Sequence, residues 1–175
     1  MKLHDILLNN QTDIINEAFA ALERSHLKHY KSSSADENWQ RLAKLFDLTL
    51  NGVKTKSLVD MITYSEKIAK ERFELGFDLH EVHSAYNVLE ETIWNTIIKE
   101  IDPSELAESL GLVSTVLGKG KESLALAYVS LASKQKAKSL NLTQLLKDCN
   151  CGVYFENSIH RCSQNSYRFT ASSYH

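Results

Sequence analysis

The chain has 175 residues, 43% hydrophobic and 24% charged, enough to bury a real core in one domain, or in one domain with a tail. Its 20 basic and 22 acidic residues leave a net charge of -2, which argues against a general electrostatic grip on nucleic acid. One proline and six glycines are too few breakers for a many-turned β-sandwich, and no apolar run approaches the roughly 18 residues that span a bilayer.

Taken in chain order, Ile6, Leu7 and Leu8 open a short apolar turn. Asn10 then reads as an N-cap, with Asp13 at the third helical position. Ile14, Ile15, Ala18, Phe19 and Leu22 keep helical spacing as far as about Tyr30. The polar run from Lys31 is a loop, and Ser34 with Glu37 is a capping box for a second long helix. Trp39, Leu42, Ala43, Phe46 and Leu50 mark one face of that helix, which Asn51-Gly52 should end.

Ser57 with Asp60 starts a third helix. It carries two apolar stripes, one through Met61, Ser65, Ile68, Arg72 and Leu75, the other through Leu58, Ile62, Ala69 and Phe73. Gly76 ends it. Asp78 and Glu81 form the next capping box, with Phe77 and Val82 placed for a hydrophobic staple. Leu79, Val82, Tyr86, Leu89, Ile93 and Ile97 then recur at three and four residues, and Trp94, Ile98 and Ile101 widen that face. The same grammar returns at Asp102-Pro103, where aspartate caps and proline takes the first helical position. The last helix runs to about Lys136, with Gly118 and Gly120 expected to kink or loosen it.

The expected fold is therefore all-α, a single bundle of about five to six helices over residues 1–146. A poorly structured tail follows over 147–175, with a short strand possible in composition at Gly152-Val153-Tyr154-Phe155. The three cysteines, Cys149, Cys151 and Cys162, all lie in that tail and do not make a disulfide framework. The N-terminus lacks a signal peptide's apolar stretch, so the cytoplasm is the expected location.

Five features invite a chemical reading. Cys149, Cys151, His160 and Cys162 are ligands that zinc accepts, but their spacing departs from CxxC modules. His80 and His83 share a helical face without an identifiable third ligand. Gly118-Lys119-Gly120-Lys121 fails the phosphate-loop pattern, having no preceding strand and no GxxxxGK[ST]. Lys134, Lys136 and Lys138 suit a helix C-terminus better than nucleic acid. Phe19, Trp39, Phe46, Tyr86, Trp94 and Tyr128 sit at helical spacing, which reads as core packing rather than a ligand cage. No catalytic set and no proximal haem histidine stands out, so the expectation is a non-enzyme with no metal, no cofactor and no nucleic-acid or membrane partner.

The segment from Ala69 to Trp94, with its Gly76-Phe77 helix end and its capped Leu79-x-Glu81-Val82 helix, resembles the N-terminal domain of RsbT co-antagonist proteins of the RsbRD type. The opening apolar segment with Ile14 to Leu22, and Leu117-Gly118 through Ala127-Tyr128-Val129, are similar to that family as well, for coverage of about residues 3 to 137. The resemblance implies a helical input domain of the kind that precedes output modules in stress-response assemblies or histidine kinases. It brings no catalytic residues, and the residues after Lys136 are too few for a kinase core. Two functional expectations follow. One is a sensory or regulatory module acting through helix packing and self-association, as a homodimer or with a signalling protein. The other is a small-ligand sensor enclosing haem, a lipid or another apolar molecule. The wide apolar faces, Met61 with Leu58 and Trp94 with Ile98, fit a dimer contact and fit equally a bundle that surrounds its central helices.

Overall fold

The computed structural model describes residues 2–139, with side chains as far as 136. The chain divides into a unit Met1–Leu140 and a second, Asn141–His175, which lies outside the described residues, as do the tail cysteines and the 152–155 segment.

Seven helices and no strand make up the described residues: α1 Leu3–Asn9, α2 Gln11–Arg24, α3 Lys28–Ser32, α4 Ala35–Thr55, α5 Val59–Glu74, α6 Leu79–Glu100 and α7 Pro103–Ser139. Five are long and two are short. Both short ones come from places where a local break outweighs the apolar period. The opening segment is a helix of its own whose Ile6 and Leu7 are fully buried. The first long helix stops at Arg24 because His26 takes a left-handed φ of 56°, and the chain resumes as α3.

α6 is central, packing against α1, α2, α4 and α7. α7 lies along α5 and also touches α4, while α2 covers α4 and carries α3. Phe46, Leu89, Ile93, Ile97, Val113, Leu117 and Leu124 are among the buried residues these contacts enclose. Phe46, Tyr86 and Tyr128 take the core places expected of them, but Trp94 does not: it is 38% exposed, beside Ile98 at 57%. Met61, by contrast, is buried, and its stripe faces the core as far as Arg72, while Leu75 at its end is 58% exposed.

The local signals divide by what they depend on. Ser34 caps α4, accepting from the Glu37 N–H at 3.1 Å, although the Glu37 carboxylate turns to Arg41 instead of closing the box. Gly76, at φ 81°, ends α5 in a Schellman motif: Phe77 N–H donates to Arg72 C=O and Gly76 N–H to Phe73 C=O. Asp102 caps α7 through Ser104 N–H at 2.9 Å. Asn10 holds the N-cap position of α2, as expected, but its side chain does not bond the helix's N–H groups. Its amide reaches back to Ile6 C=O and across to Glu100, tying the end of α1 to the end of α6. Nor does Ser57 cap α5, whose N-cap is Leu58 with no side-chain bond.

The glycines correct two expectations. Asn51-Gly52 does not end α4, which continues to Thr55 and stops at Lys56 with φ 55°. Gly52 is buried where α4 meets α7, and a Cβ there would stand 2.8 Å from Val116 Cγ1. Gly118 and Gly120 do not interrupt α7, which is one helix of 37 residues. Gly120 instead lets Tyr86 and Met61 pack onto the α7 backbone, where a Cβ would lie 2.8 Å and 2.9 Å from their atoms.

Candidate functional site

Among the described residues, the features singled out from sequence do not assemble into a site; the Cys149, Cys151, His160 and Cys162 set lies outside them. His80 is exposed, and His83 is engaged with the Lys121 carbonyl, 3.2 Å from its Nε2. No group of three or more potential metal ligands occurs among the described residues. Lys119 pairs with Glu122 at 2.8 Å and Lys121 with Glu90 at 2.6 Å, so both lysines of the glycine-lysine run are held by carboxylates. Lys134 and Lys136 are exposed near the end of α7.

What the fold does bring together is a polar cluster between α3, α4, α5 and α6 that the sequence reading did not identify. Arg72 faces inward from the apolar stripe of α5 and is 1% exposed. Its guanidinium stacks on the Phe77 ring, with Cζ 4.7 Å from the centroid. Arg72 Nη2 has no hydrogen-bond partner among the described residues. The Glu71 carboxylate stands 3.4 Å away, but its side chain is 44% exposed and its geometry attracts the cation without accepting a hydrogen bond. A charge that deep ordinarily comes fully paired, since desolvation costs several kcal/mol. Burial accordingly pulls the Arg72 pKa below its ordinary value, and the Arg41 charge pulls the same way.

Arg41, on α4, places a second guanidinium at the same cavity, donating to Asn38 Oδ1 at 3.1 Å and to Glu37 at 3.2 Å. Asn38 is buried and donates to the Tyr30 carbonyl at 2.9 Å, which fixes α3 on α4. Tyr30, Tyr64 and Tyr86 complete the polar wall. Burial pushes the Tyr30 phenol up to about 12 and raises Tyr64 too, while the two arginines pull both back. Leu22, Leu42, Leu45, Ile68 and Val82 form the apolar remainder. The cavity volume is about 20 Å³, room for about one water.

A second cluster braces this one. The buried Glu81 carboxylate accepts from His29 Nδ1 at 2.6 Å, from His29 N–H at 3.1 Å and from Asp78 N–H at 3.2 Å. Burial raises its pKa, but these hydrogen bonds outweigh that and hold the carboxyl below its ordinary value. The His29 ring stacks on Phe77 at 4.8 Å, and Phe77 is also the ring beneath Arg72. Glu81 thus caps α6 and clamps α3 at once. The cap is written in the local sequence; the clamp depends on a residue 52 positions away.

The model of the RsbT co-antagonist protein rsbRD N-terminal domain family matches residues 13–133, from the start of α2 through most of α7. The chain belongs to this family. The matched span holds every residue of the arginine cavity and of the Glu81 clamp. As an rsbRD-type domain, it is a regulatory domain of stress-response signalling. Nothing among curated proteins or solved structures matches the chain. No helix among the described residues is long and apolar enough to cross a membrane.

Proposed function

We propose that this rsbRD-type domain is a non-catalytic input module, which passes its state to a second copy or a signalling partner through helix packing. The observation that carries this reading is the family match over residues 13–133. Exposed apolar side chains lend support. Trp94 and Ile98 stand one turn apart on α6, and Leu126 and Val129 are exposed on α7. Residues of this kind suit a two-fold contact in which one patch meets itself. On this reading the domain works in the cytoplasm, as a homodimer or bound to a signalling protein.

Sedimentation at micromolar concentration tests the self-association. A dimer is expected, and Ile98→Glu or Val129→Glu should weaken it by at least about tenfold, since each would bury a charge at an apolar contact. A strict monomer for the parent protein would refute self-association while leaving the family assignment intact.

Among the described residues, the arginine cavity gives the reading as a haem or lipid sensor no support. A cavity of about 20 Å³ has no room for such ligands unless packed core side chains move aside.

A further inference from the structure

We propose that the open groove along the seam of α5 and α7 is a docking surface for an acidic amphipathic helix of another protein. This goes beyond self-association. The groove is lined by α5 and α7 alone and takes in neither Trp94 nor Ile98.

Its geometry follows from how the two helices lie together. Met61 packs on Gly120 and Phe73 on Tyr128, so α5 and α7 run side by side in the same direction. Their outward faces leave a groove of about 610 Å³ between them. It spans residues 62–70 of α5 and 119–134 of α7, roughly 12 Å and roughly 22 Å of helix. A partner helix of about three to four turns matches that length.

The lining says what such a helix must carry. The apolar part is Ile62, Leu126, Ala127 and Leu131. Leu126 is 63% exposed, while Leu117 and Leu124 of the same helix are fully buried. A leucine left open beside other apolar side chains offers an anchor point to an apolar stripe. Ser123 and Ser130 are short, so the seam admits the side-chain ridge of a third helix between the two that form it.

Charge selects the flanks of the partner. Lys70, Lys119 and Lys134 line the groove against one carboxylate, Glu66. Lys119 is held by Glu122, but Lys70 and Lys134 have no ion-pair partner among the described residues. The shared direction of the helices places both of these at the later end of the groove. A basic rim over an apolar floor suits a helix whose apolar stripe is flanked by aspartate or glutamate. The same charges disfavour a second copy, because a two-fold contact would set this excess of lysine against itself. α7 also packs against α4 and α6, so a helix seated here bears on the element that joins the rest of the bundle. Docking is thereby coupled to helix packing, the property an input domain must change.

The test uses the whole protein and two fluorescein-labelled helical peptides of about 18 residues, roughly 27 Å long. Both carry leucines at spacings of three and four; one has glutamates on the flanks and the other lysines. Fluorescence anisotropy should show saturable binding of the glutamate peptide with a Kd below about 0.1 mM, weakening as salt is added, and no binding of the lysine peptide. Lys70→Glu with Lys134→Glu should weaken the glutamate peptide by at least about tenfold and admit the lysine peptide. Leu126→Ser should weaken the glutamate peptide by at least about fivefold. These side chains are exposed, so the variants should fold as the parent does. Absence of saturable binding up to about 0.1 mM overturns the proposal, as do equal binding of the two peptides and unchanged binding in the double lysine variant. A parent dimer that this double variant dissociates in sedimentation would give the groove to a second copy and overturn it too. A parent monomer would refute self-association alone, leaving the peptide result to stand by itself.

Discussion

Glu81→Ala should cost the fold about 3 kcal/mol, read as a loss in denaturant stability. Three donors, His29 Nδ1, His29 N–H and Asp78 N–H, converge on this one buried carboxylate. Removing it strands all three, at about 1 kcal/mol each. The substitution also leaves α6 without its N3 partner and α3 without its tether. The pH dependence follows from the direction of the shift. The folded carboxyl titrates below a glutamate's ordinary 4.5, so its contribution is complete above that value and fades as pH falls through the lower folded pKa. Acid melts of the parent protein should therefore lose stability below about pH 4.5 more steeply than those of Glu81→Ala. Indistinguishable acid limbs would mean that the carboxylate is not held as the hydrogen bonds indicate.

Gly120→Val should cost about 2–3 kcal/mol by overpacking, the second large effect. Its Cβ would meet Tyr86 Cε1 at 2.8 Å and Met61 Sδ at 2.9 Å, and the γ-methyls would intrude further. Met61 can shift, but Tyr86 is held by its buried hydrogen bond with Ser65 at 2.9 Å. Gly118 is the internal control. It lies two residues away on the same helix, where a Cβ would meet nothing within 4 Å, so Gly118→Ala should gain up to about 1 kcal/mol from helix propensity alone. Urea melts of the two variants should therefore move in opposite directions. A stabilised Gly120→Val would show that α7 does not press on α5 and α6 at this point.

These two glycines also mark where the sequence is legible. A glycine that ends a helix and one that admits a neighbour look alike in a linear chain. Gly76 could be read because a capping box and a staple follow at once in Asp78, Glu81, Phe77 and Val82. Gly52 and Gly120 could not, since their reasons are Val116 in one case and Tyr86 with Met61 in the other. Asp102 and Ser34 were readable for the same local reason as Gly76, and the helical class and the family pattern came with them.

The cavity was hidden for a related reason. Arg72 stands in an apolar stripe with Met61, Ser65 and Ile68, and that pattern alone marks it as an inward cation. Its surroundings come from residues 30, 38 and 41, which a period of three and four along α5 does not reveal. His29 is obscured likewise, because the left-handed turn at His26 moves α3 out of the register of α2. The Trp94 and Ile98 face, which the sequence left open between core and contact surface, is exposed, since α6 buries the Leu89, Ile93 and Ile97 stripe and leaves the next one outward.

The account's central claim is that Arg72 is a buried cation that the fold carries at a cost. Its most direct test is a denaturant melt of Arg72→Met in anion-poor buffer. Methionine fills much of the same volume without a charge, and replacing a buried charge that has only the half-exposed Glu71 carboxylate beside it at 3.4 Å should raise stability by about 1–2 kcal/mol. A gain for Arg72→Met is the predicted result. A loss of similar size would mean that the Phe77 stacking and the Glu71 attraction already satisfy the guanidinium, and would contradict the claim.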